Sequence, residues 1–249
     1  MNKPLVEVLI NALLNSSERS SLEAGFDSMR NNFLKFIDEN PNFSDQLEKF
    51  ILEIQRLPDV QQQTWSDAAK MGWYVNAETS LSNANKLPKN QCDLDDYMMN
   101  ELENDWALLT QSILDNYPKR KEILECAFQL HSEGRYIASI PLFLAQADGI
   151  CAETISTGLF TKAEEQKNKI IEFIEMTKIN EYDFTGIFLE ALTIKTQFFK
   201  GSSSYSAKKK ATAPNRNGIL HGSSKHLDYG TKVNSFKAFS LLAFVVFVL

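Results

Sequence analysis

The chain reads as an all-α protein. Three observations predict that class. Apolar residues recur at three- and four-residue spacing in nearly every segment. No apolar/polar alternation is sustained over successive segments, and no fixed-period repeat is visible. Glycine and proline are few, 10 and 7 in 249 residues, which argues against a loop-rich sandwich or a Gly-rich nucleotide-loop enzyme. The 43% hydrophobic and 23% charged fractions are those of an ordinary soluble globular chain, and the length suffices for one large domain or two small ones.

The elements follow in order. Leu5, Val8, Leu9, Ala12 and Leu13 make an amphipathic first helix; Glu7 and Asn11 interrupt the run that would otherwise resemble a secretory signal. Phe26, Met29, Phe33, Phe36 and Ile37 form a second stripe, ended at Asn40-Pro41. Ser44 is an N-cap for a helix carrying Leu47, Phe50, Ile51 and Ile54. After Pro58, Trp65, Ala68, Ala69 and Met71 mark a shorter helix. The polar stretch Asn83 to Asn90 is the expected boundary, giving an N-terminal helical region, 1–90, and a second helical domain, 91–249.

The second domain begins with one acid-rich helix, Asp93 to Tyr117, with Leu94, Met98, Leu102, Leu109 and Ile113 on its apolar side. Lys119 to His131 is the next helix, and Gly134 breaks it. Arg135 to Ile155 reads as a central buried helix in which Pro141 starts a new turn or a kink. Helices over Lys162–Lys178 and Asp183–Phe199 follow, then a small, polar, basic loop, Gly201 to Ala213. Thr231 caps a last helix with Val233, Phe236, Phe239, Leu242 and Val246 inward. Its uncharged end, Ala238 to Leu249, falls short of the about 20 apolar residues a bilayer span needs. It is a buried core helix or, alternatively, a membrane or partner contact; no membrane partner is favoured.

Cys92, Cys126 and Cys151 are widely spaced and odd in number, and His131, His221 and His226 do not cluster with them. That pattern predicts buried free thiols in a reducing cytoplasm and no zinc site, and nothing calls for a metal or another cofactor. The net charge of −6 disfavours a general polyanion coat. The charge is uneven, however. Residues 200–227 hold six basic residues and no acid, so against the whole-chain −6 the remainder carries −12. Within that segment Lys208, Lys209 and Lys210 are either an RNA-phosphate contact or a solvated charge run.

One stretch there carries chemistry: Asn215-Arg216-Asn217-Gly218-Ile219-Leu220-His221-Gly222. Arginine offers a permanently charged planar fork for phosphate oxygens, and histidine titrates near neutrality and moves protons. Together they suit metal-independent RNA cleavage, the imidazole acting on the 2′-hydroxyl or the 5′-oxygen and the guanidinium on the charge at phosphorus. Asn217 is a polar neighbour able to orient the phosphate or the imidazole. Five residues on an ideal helix put the two side chains about 140° apart, so convergence needs an irregular turn or a second subunit. The bland alternative is a solvated or paired arginine and a histidine that caps a turn.

RNGILHG, the following LDYGTKVNSFKAFSLL and the helix from Tyr136 to Cys151 together resemble a bacterial branch of the HEPN superfamily, over roughly residues 118 to 249. The resemblance implies a HEPN-like helical bundle that forms a homodimer and brings two Arg/His motifs into one cleft. It implies an endoribonuclease, in a toxin or phage-defence setting, with Arg216 and His221 catalytic and Asn217 accessory. It also admits a non-catalytic nucleotide- or RNA-binding or protein-interaction module, and an antitoxin or other regulatory partner. Asp228 to Thr231, the DYGT element, reads as a turn plus N-cap.

Overall fold

The structure, a computed structural model, describes residues 63–75, 87–161, 163–177, 196–201 and 212–248. The helices expected before residue 58, the loop lysines Lys208, Lys209 and Lys210, and most of the helix expected at Asp183–Phe199 lie outside the described residues. By internal contacts the chain divides into Met1–Leu57 and Pro58–Leu249; every described residue belongs to the second unit.

All regular structure among the described residues is helical. Residues 63–70 are helical, with Trp65, Ala68 and Ala69 buried. Helix α1 spans Gln91–Asn104 and α2 spans Trp106–Asn116. The single helix expected from Asp93 to Tyr117 is therefore two, separated at Asp105. Aspartate is a weak interior helix former because its side chain competes for nearby backbone groups. The break sets Trp106 against His131 and Phe239, while Leu94, Met98 and Leu102 of α1 and Leu109 and Ile113 of α2 stay buried. The start of α1 is fixed by Asn90, whose side chain accepts from the Asp93 N–H at 3.0 Å.

Helix α3, Lys121–Ser132, leads through Gly134 to α4, Tyr136–Ile155; α5 is Ala163–Thr177, α6 the short Arg216–Leu220, and α7 Lys232–Val248. Thr231 caps α7, its Oγ1 accepting from the Asn234 N–H at 3.2 Å. Every residue of α7 from Ser235 to Val246 is buried. A helix that is apolar all round belongs in the middle of a core, and α7 packs there against α4, with α3 packed on α4 and touching α7 through Phe128 and His131. No helix among the described residues is long and apolar enough to cross a membrane.

Pro141 lies inside α4 without breaking it. A proline has no N–H, so the carbonyl four residues back, that of Ile137, loses its helical donor. The Tyr229 hydroxyl donates to that carbonyl at 3.0 Å. Gly230 lies so close that a side chain there would run into Ile137. The DYGT element thus docks on the gap that Pro141 leaves, and it ties the chain after α6 to the central helix.

Two polar clusters sit inside this packing. In one, Asp95 Oδ1 accepts from Lys237 Nζ at 2.8 Å, from Trp73 Nε1 at 2.7 Å and from Gln91 Nε2 at 2.7 Å. The same Lys237 ammonium donates to the Thr212 carbonyl at 2.7 Å and lies over the Trp73 ring. Gly72 has φ +88°, and a side chain there would meet the Thr212 carbonyl, so the turn at 72 and the segment from 212 pack backbone to backbone. In the other cluster, His131 Nδ1 and Ser139 Oγ each hydrogen-bond Ser235 Oγ at 2.8 Å, with Trp106 stacked on the imidazole. Burial, reinforced by the Lys232 charge, pushes the His131 pKa down to about 4.

Candidate functional site

The site is built on the path from Thr212 to His226. Lys237 holds the carbonyl of Thr212, three residues ahead of the buried Asn215. Asn215 is the N-cap of α6: its Oδ1 accepts from the Gly218 N–H at 2.6 Å, and its Nδ2 donates to the Lys200 carbonyl at 3.0 Å. Asn217 donates to the same carbonyl at 3.0 Å. Isolated helices this short are not stable in water, so these bonds, and not propensity, make α6. Gly218 then meets His226. A Cβ at 218 would stand 2.1 Å from the imidazole Cδ2, so only glycine lets the ring lie on the helix. His226 is buried.

Arg216 turns toward α4. Its Nη2 donates to Asp148 Oδ2 at 3.2 Å, its Nη1 donates to Asn217 Oδ1 at 3.2 Å, and its guanidinium carbon lies 4.9 Å from the centre of the Phe160 ring. Both ion-pair side chains are about a quarter exposed, 24% for Arg216 and 25% for Asp148. At that exposure the pair and the ring contact each contribute about 0.5 kcal/mol to stability. The pair is also incomplete: among the described residues, Asp148 Oδ1 and Arg216 Nε are buried with no hydrogen-bond partner.

His221 ends α6 as its C-cap and is exposed. The structure therefore brings Arg216 and Asn217 into contact, while His221 shares no hydrogen bond with either side chain. Around them, Lys200 and Lys225 are exposed, and Leu220 and Leu227 are exposed apolar residues. Lys208, Lys209 and Lys210 lie outside the described residues. No group of three potential metal-binding side chains is present among the described residues.

Of the thiols, only Cys151 is buried; Cys92 and Cys126 are exposed, contrary to the expectation of three buried cysteines. Both stand on helix positions facing out of the core, which composition alone does not reveal. Cys151 sits one turn beyond Asp148 and is pushed up to about 12 by burial and by that carboxylate, so its thiol is inert.

Asp148 and Phe160 are absent from the sequence reading of the site. A signal for Asp148 was present: it is the only charged residue between Tyr136 and Cys151. An acid in a run otherwise fit for a core demands a partner.

In comparisons with known proteins, no family model matches the chain, and no curated protein or solved structure matches it.

Proposed function

We propose that the chain is a metal-independent endoribonuclease of HEPN type, acting in the cytoplasm as a homodimer in a toxin or phage-defence setting. The observation that carries this reading is the pairing, at the two ends of one five-residue helix, of a held arginine and an exposed histidine. In the reaction the ribose 2′-oxygen attacks the adjacent phosphorus while the bond from phosphorus to the 5′-oxygen breaks. One proton leaves the 2′-hydroxyl and one is delivered to the 5′-oxygen. His221 moves these protons, one histidine from each subunit serving one role. Arg216 stabilises the charge that builds on the phosphate oxygens, and Asn217 holds the guanidinium. Arg216 and His221 share no hydrogen bond within the described chain, and a second copy supplies the missing neighbour in the cleft.

A second reading has its own support. An arginine already paired with an acid and laid on an aromatic ring also fits a structural role, as in a non-catalytic nucleotide- or RNA-binding or interaction module of the same family. Incubation of the purified full chain with single-stranded or transfer RNA in EDTA separates the two. The catalytic reading expects 2′,3′-cyclic phosphate and 5′-hydroxyl ends, and a loss of about 100-fold or more in His221→Ala and Arg216→Ala. RNA binding without cleavage by the wild type supports the module. Cleavage that survives both substitutions removes the site assignment.

A further inference from the structure

Arg216 is held from three directions by groups that come from separate parts of the chain. Asp148 reaches it from α4, the Phe160 ring lies against it from the turn between α4 and α5, and Asn217 meets it from its own helix. A free arginine side chain samples many rotamers, and these contacts remove most of them. A guanidinium has five N–H donors. Asp148 and Asn217 engage one donor each on Nη2 and Nη1, and Nε is buried without a partner. Asp148 does not close the two-bond fork through Nε that its second oxygen would permit, since Oδ1 is also unpaired. The arginine is therefore oriented without giving its remaining Nη donors to the acid, on a side chain about a quarter exposed.

The acid is seated in turn. A Cβ built at Gly158 would stand 3.0 Å from Asp148 Oδ1, so the bare glycine leaves the carboxylate its place. Charge stabilisation at phosphorus works best when the donor is in position before the reaction begins. Stability alone does not account for the pair, which is single-contact and partly exposed.

We propose that Asp148 is a positioning residue for Arg216: it fixes the guanidinium over Phe160 with the remaining Nη donors turned to the phosphate oxygens of RNA. This rests on the RNA-cleaving reading of Arg216 and His221.

The test is Asp148→Asn in the full chain, read in two ways. Steady-state cleavage should show kcat lowered about 10- to 100-fold with KM nearly unchanged, the signature of lost orientation. Independently of activity, the Arg216 Nε–H signal in an NMR spectrum should show faster guanidinium rotation than in wild type. In an Arg216→Lys background Asp148→Asn should add little, because the two residues act as one unit. Unchanged kcat, or a fall in kcat with an unchanged Arg216 signal, overturns the proposal. If the wild type does not cleave RNA, the cleavage reading fails on its own, and the Arg216 signal still decides whether Asp148 holds the arginine. Should Asp148→Asn fail to fold, Gly158→Ala displaces the same carboxylate without removing its charge. It should loosen the Arg216 signal in the same sense, and an unchanged signal there overturns the proposal.

Discussion

Asp95 and Asp148 each receive one cationic side chain, yet the two pairs are finished to different degrees. At Asp95 a single carboxylate oxygen takes three donors, and the Lys237 side chain is only 3% exposed. Lys237 also holds the Thr212 carbonyl. At Asp148 the partner arginine makes one contact, both side chains reach solvent, and a buried atom on each remains unpaired. The first pair joins α1, α7, the turn near Trp73 and the segment that leads into the motif. The second orients one side chain at the surface. A saturated pair spends its donors on the fold, whereas an unfinished pair keeps donors for something else.

The contrast breaks most easily at Lys237. Lys237→Met leaves Asp95 without its cation and should cost about 3–5 kcal/mol, on the order of a 10 °C fall in Tm. Urea unfolding with an unchanged m-value would verify it; a loss no larger than that of an Arg216 variant would erase the distinction.

The His131 cluster gives the next largest effect. Its folded pKa, about 4, lies below the ordinary 6.5, so the unfolded chain binds the extra proton between those values. Stability from this group is full above pH 6.5 and falls as pH drops toward 4, by roughly 3 kcal/mol at most. Unfolding free energies over that range should lose this component in His131→Gln, and an identical pH slope would contradict it.

Tyr229→Phe removes the donor on the Ile137 carbonyl and should cost about 1 kcal/mol, measured by the same unfolding curves. The smallest effect is expected at the motif itself. Arg216→Ala should lower stability by about 1 kcal/mol or less, while abolishing the RNA cleavage proposed for the chain.

Much of the second unit was legible in the sequence. The 3.6-residue stripes place α3, α4 and α5 closely, Gly134 ends α3, and Thr231 caps a last helix that is buried. What was not legible depends on distance along the chain. The Asp105 break follows from where Trp106 must pack, and the Asp148–Arg216 contact joins residues 68 apart. Local periodicity says nothing of such pairs. Lone charges in apolar runs do: Asp148 in α4 and Lys237 in α7 each announce a partner without naming it. The motif spacing itself shows that Arg216 and His221 need help to converge, and among the described residues the two side chains share no hydrogen bond.

On the proposed function, the unfinished pair serves chemistry and the saturated pair serves the fold. RNA cleavage in EDTA by wild type, Arg216→Ala and His221→Ala, with Tm measured on the same samples, puts this to the sharpest test. Wild type should give cyclic phosphate products, both variants should lose about 100-fold or more, and Tm values should stay within a few degrees of wild type. Equal cleavage by all three proteins would contradict it.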